Sequence, residues 1–130
     1  MVTYTDFPVY RVSYALLLKV SELMPHLPRD SRYTIGQSLR EKLLEIIMLI
    51  YRASRTPQKV PVLGHMRETL SQVQVLMRLL CDLHQISERQ YTQLMEEASS
   101  LSKQISAWER SERKKTNDNI RIAPHLDQPS

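Results

Sequence analysis

An all-α protein is the fold class the sequence predicts, on three observations. Only two of the 130 residues are Gly, Gly36 and Gly64, too few for the turns of a multi-stranded sheet. Aromatic residues make up 6%, and the apolar content comes mainly from Leu, Ile, Val and Met. Along four separate stretches the apolar residues recur at steps of three and four, the period of an amphipathic helix.

Pro8 opens the first helix, over residues 8–24, at a position where proline is favoured. Val9, Val12, Leu16, Val20 and Leu23 form its apolar row, with Tyr10, Tyr14 and Leu17 beside them. Pro25 and Pro28 end it, because neither fits a helix interior. The second helix, 32–54, carries Ile35, Leu39, Leu43, Ile46 and Ile50, widened by Leu44 and Ile47, with Ser31 or Thr34 as its cap. Gly36, early in that helix, lowers helix propensity and points to a close backbone approach. The third helix starts near Pro61, and Met66, Leu70, Val73, Met77 and Leu80 line one face. Ser87 and Gln90 match a capping box for the fourth, where Tyr91, Leu94, Ala98, Leu101, Ile105 and Trp108 make the cleanest heptad of the chain. After Trp108 the apolar period stops.

Four such helices joined by short connections predict an antiparallel up-down-up-down four-helix bundle over residues 1–115, with a disordered tail over 116–130. The six consecutive apolar residues Ile46–Tyr51, and the near-continuous run from Val75 to Cys81, are broader than one buried face needs. Either the second helix sits deep in the monomer, or self-association buries a further face; the second is the expectation.

Several function classes drop out. Two distant glycines leave no phosphate-cradling loop. Cys81 stands alone, so no disulfide framework or thiolate metal site is expected, and the thiol should be a buried small hydrophobe. No basic n-region and no apolar run of membrane length is present, so a cytoplasmic protein without a membrane span is expected. His26, His65, His84 and His125 lack the spacing that sets two imidazoles on one helix face, and no Glu stands three residues before any of them. Glu96 and Glu97 are neighbours that point apart on a helix. Neither catalytic residues, nor a metal, nor a cofactor is expected.

What remains is surface charge. Against 14 Asp and Glu the chain has 18 Lys and Arg, a formal net charge of +4. The excess lies on residues 29–56 and the tail, whereas 86–112 are acidic. Arg32, Arg40, Arg52 and Arg55 ride on the second helix, with Arg78 and Lys103 on the next two. The planar fork of Arg suits phosphate and carboxylate oxygens, although any one of these groups could be an ordinary solvated charge. Arg78 stands out because Leu76, Met77, Leu79 and Leu80 flank it. It must pair with a carboxylate such as Asp82 or face an interface.

The blocks Val9–Leu18, Leu27-Pro28-Arg29, Arg32-Tyr33-Thr34-Ile35-Gly36, Ile50-Tyr51-Arg52-Ala53, Leu76–Leu83, Ile86-Ser87 and Ile105-Ser106-Ala107-Trp108 resemble the accessory variability determinant (Avd) proteins of diversity-generating retroelements. The resemblance covers roughly residues 7–115, with the Arg-Tyr-Thr block its most specific part. Four-helix proteins encoded in intervening sequences of ribosomal RNA genes share that block, so they stand as the alternative: a structural bundle with no polymerase partner. The resemblance implies a non-catalytic protein that forms a homopentameric barrel of bundles. It further implies binding to the retroelement's reverse transcriptase and to template RNA and cDNA, in support of mutagenic retrohoming. Arg78 and Lys103 match basic positions of the family's pattern and are the first candidates for the surface that meets polymerase or nucleic acid. Arg32 and Arg40 come next, and Arg52 and Arg55 with the tail from Arg113 to Lys115 form the fallback. Avd proteins tend to be more basic than this chain, whose fourth segment is acidic.

Overall fold

Pro8 occupies the first turn of α1 (Pro8–Leu23), where its missing N–H leaves no helical hydrogen bond unmade. The computed structural model describes residues 2–122, and three further helices follow: α2 (Gln37–Arg55), α3 (Lys59–Asp82) and α4 (Glu88–Ile122). Each packs antiparallel on the next, and α4 closes back onto α1. α1 therefore lies diagonal to α3, and α2 diagonal to α4.

The apolar rows meet in one core. Leu16, Leu43, Ile46, Ile50, Met77 and Ile105 are fully buried in it, as the spacing predicts. Each such side chain contributes about 1.5–3 kcal/mol relative to exposure. Ser13 of α1 is also buried, and its hydroxyl has no hydrogen-bond partner among the described residues. Cys81 is half-buried against the edge of the core rather than within it, because α3 turns that position toward the α4 seam.

Three local outcomes differ from expectation or sharpen it. Neither Ser31 nor Thr34 caps the second helix. The chain turns helical at Arg29, straight after Pro28, and the Arg32 amide donates to the Pro28 carbonyl at 2.9 Å. The path passes through a π-helical segment, Arg32–Gly36, before α2 proper, and Thr34 Oγ1 donates back to the Asp30 carbonyl. Gly36 is where the expected close approach occurs: a Cβ there would lie 3.1 Å from Leu27 Cδ1. The Ser87–Gln90 box forms as expected, the Gln90 amide donating to Ser87 Oγ (3.0 Å) and the Ser87 amide to Gln90 Oε1 (2.8 Å).

The length of α4 also differs from expectation. The sequence pattern predicts a disordered tail from Thr116, yet the helix continues through Ile122. Charge pairing replaces the missing apolar stripe. Arg113 pairs with Glu109 and Lys115 with Glu112, while Thr116 Oγ1 donates to the Glu112 carbonyl. The segment Pro57–Pro61 at the start of α3 faces this stretch, as far as Asn117, across an open hollow. Residues 123–130 of the expected tail lie outside the described residues.

Candidate interaction surfaces

The six basic candidates do not converge on one face of a single chain. Arg78 Nε donates to both carboxylate oxygens of Asp82, at 3.0 and 3.1 Å, one helical turn away. That bond, with the Asp82 charge and the nearby Tyr91 hydroxyl, holds the guanidinium pKa above its ordinary value. The pair stands in solvent, where Asp82 reduces the net charge that Arg78 offers a partner. Lys103 is exposed on the outer side of α4, and Arg40 on α2 lines a hollow with Tyr33 and Met24.

Arg32 has a structural role instead. It is half-buried, and its NH2 group donates to the carbonyls of Pro25 and Leu27, tying down the turn between α1 and α2. Arg52 and Arg55 stand in the last turn of α2, where cations suit the helix dipole, and Arg55 lies over the Tyr51 ring at 5.4 Å. The antiparallel topology brings Arg113, Lys114 and Lys115 to the same end of the bundle. Arg113 is paired with Glu109 there, and Lys115 with Glu112.

Lys59, which the sequence pattern does not single out, sits between them. Its ammonium donates to the carbonyls of Ala53 and Thr56 (2.8 Å for the latter) and so closes the C-terminus of α2. Beside it lies an apolar hollow of about 490 Å³, floored by Phe7 and Trp108, whose rings meet edge to face 5.6 Å apart. Ser54, also on its wall, donates to the Tyr51 carbonyl. Among the described residues, no group of three or more His, Cys, Asp or Glu side chains comes together. None of the described helices is long and apolar enough to cross a membrane.

The larger feature is apolar. On α2, Leu44, Met48 and Tyr51 follow at steps of four and three and stay exposed, Met48 at 61%. Tyr14 and Leu18 of α1 are exposed beside them. An aromatic chain joins the two helices: Tyr4 meets both Tyr10 (5.5 Å) and Tyr51 (5.2 Å) edge to face, and Tyr10 stacks on Tyr14. Val75 and Leu79 on α3, with Leu83 just past its end, form a second exposed row at steps of four, Val75 at 67%. Thus the broad runs on the second and third helices do leave apolar side chains in water, and the first helix joins them, which the periodicity of its sequence does not signal. No protein-family model matches the chain, and no curated protein is significantly similar to it in sequence.

Proposed function

We propose that this protein is a non-catalytic accessory subunit of the Avd type, working as a homo-oligomer, most simply a pentamer. In this reading it binds a reverse transcriptase together with its template RNA and cDNA, and so supports mutagenic retrohoming. The observation that carries the proposal is the pair of exposed apolar rows, Leu44-Met48-Tyr51 with Tyr14 and Leu18, and Val75-Leu79-Leu83. Contiguous apolar surface rimmed by polar groups marks association sites, and Tyr, Met and Arg are enriched in them. The basic surplus supports contact with nucleic acid, since neutralising phosphates releases counterions whatever the sequence.

Affinity purification of the tagged chain from its native host tests the partner. Recovery of a reverse transcriptase with bound RNA supports the reading. Recovery of the oligomer alone favours the intervening-sequence type of bundle, which has no polymerase partner.

A further inference from the structure

The hollow beside Lys59 lies at one end of the bundle, where α1 and α3 begin and α2 ends. Phe7 and Trp108 are half-buried: each packs on the core and still lines the hollow. A third ring can meet them edge to face or offset, the arrangements that aromatic groups prefer. The volume of about 490 Å³ falls within the ~300–1,000 Å³ of small-molecule sites. Its borders are short, residues 7–9 at the head of α1 and one turn of α4 from Gln104 to Trp108. A docked helix or strand needs a longer furrow. The fit is to a small molecule.

The electrostatics select an anion. Lys59 carries the only charge among the described residues that line the hollow. Its ammonium donates to the Ala53 and Thr56 carbonyls, which are neutral, and no carboxylate pairs with it among the described residues. Glu112, which borders the adjoining hollow, pairs with Lys115 instead. Two of the three N–H groups of the ammonium are thus used and one is left. α1 and α3 start on the rim, at Pro8 and Lys59, and neither has a side-chain cap, so the positive ends of two helix dipoles lie here. The C-terminus of α2 opposes them, but Lys59 already closes it.

The wall also holds an unmet acceptor. Gln104 Oε1 is buried without a hydrogen-bond partner among the described residues, and Nε2 reaches Ser100 Oγ only at 3.4 Å. A side-chain amide held so loosely can turn toward an occupant.

We propose that this hollow binds a small aromatic carboxylate, its ring against Phe7 and Trp108 and its carboxylate on the Lys59 ammonium. The site is independent of the polymerase partner and of the self-association proposed above. A charge-assisted hydrogen bond to the ammonium selects the acid over the corresponding neutral alcohol.

Trp108 is the only tryptophan of the chain, so its fluorescence reports occupancy of the hollow directly. The test titrates the full chain with 3-phenylpropionate and with 3-phenylpropan-1-ol, exciting at the red edge of the tryptophan band, where a phenyl ring does not absorb. The acid should change the emission saturably, and the alcohol should need a concentration about tenfold higher. Lys59→Gln, whose amide can still donate to the α2 carbonyls, should remove the preference for the acid. Ala107→Phe fills the hollow from an exposed position and leaves Lys59 in place, so it should abolish the response to both ligands. It decides the matter alone if circular dichroism shows that Lys59→Gln has lost its fold. No saturable change with the acid, an equal response of wild type to acid and alcohol, or undiminished binding by Ala107→Phe would each overturn the assignment. So would a wild-type emission that changes on dilution without ligand, because another copy of the chain would then fill the hollow.

Discussion

Arg67 on α3 and Glu109 on α4 meet across the seam between those helices, Nε to Oε1 at 3.2 Å, with Arg113 reaching the other carboxylate oxygen at 3.3 Å. The Glu109 side chain is almost entirely buried, whereas both guanidinium groups stand half in solvent. Gly64 lies beside the carboxylate, and a Cβ at that position would sit 3.9 Å from Glu109 Oε2, in ordinary van der Waals contact. A charge carried on the otherwise polar end of α4 is thereby converted into a fixed point between α3 and the last turns of the bundle.

Breaking this pair should cost stability. Arg67→Met leaves the buried carboxylate with one partner and should lower the unfolding free energy by about 1 kcal/mol, at the low end for a charged hydrogen bond because Arg67 is half exposed. A double-mutant cycle with Glu109→Leu, followed by urea unfolding, should give a coupling energy of similar size. Additivity of the two substitutions would show that the contact contributes nothing.

The two glycines should respond in opposite directions. At Gly64, inside α3, a methyl group meets only ordinary van der Waals contact, so Gly64→Ala should raise stability by roughly 0.5–1 kcal/mol through helix propensity alone. At Gly36 the new Cβ presses on Leu27 Cδ1 within the π-helical segment, so Gly36→Ala should lower the melting temperature. Thermal unfolding of the two variants side by side decides the matter; an equal gain in both would mean that Leu27 yields freely.

His84 closes α3 in the left-handed region, at φ 57°, with its amide donating to Cys81 and the Gln85 amide to Leu80. That is the hydrogen-bond pattern of a Schellman cap, usually built on glycine. By releasing the backbone strain that a side chain imposes there, His84→Gly should stabilise the protein by about 1 kcal/mol. A lower melting temperature would mean that His84 makes contacts worth more than its backbone strain.

Much of the bundle was legible because its core obeys one period. Leu94, Ala98, Leu101 and Ile105 are buried where the heptad puts them, and Ser87 with Gln90 marks the start of α4 to the residue. Signals carried by single residues read less well. A left-handed cap on His84 leaves no trace in composition, since glycine usually marks that position. The entry to α2 hides in Pro28, because Ser31 and Thr34 resemble caps in sequence but do not cap the helix. The continuation of α4 past Thr116 is accompanied by local polar contacts such as Lys115–Glu112 and Thr116 to the Glu112 carbonyl, which leave no apolar period to read. Among the candidate surface residues, Arg32 and Arg55 look alike in sequence. Only the fold separates a guanidinium bound to two carbonyls from one lying open over Tyr51.

That separation orders the basic residues for nucleic-acid binding. Arg78 is partly neutralised by Asp82, Lys103 stands apart on α4, and Arg32 is held by the turn carbonyls. Arg52 and Arg55 share one helical turn at the end of α2. Replacing both by Ala should therefore weaken retention of single-stranded RNA more than replacing Arg78 and Lys103 together. Each phosphate left without its cation should reduce the slope of log affinity against log salt by about 0.7 per copy of the chain. Arg32→Ala should lower the melting temperature and leave RNA retention where it was. Filter binding across a salt series, on variants shown by light scattering to keep the wild-type mass, measures all three. If the Arg78 and Lys103 pair proves the more sensitive, the nucleic acid runs along the α3–α4 side of the bundle. An unchanged slope in every variant would mean that electrostatics plays no part in binding and that the apolar faces alone mediate association.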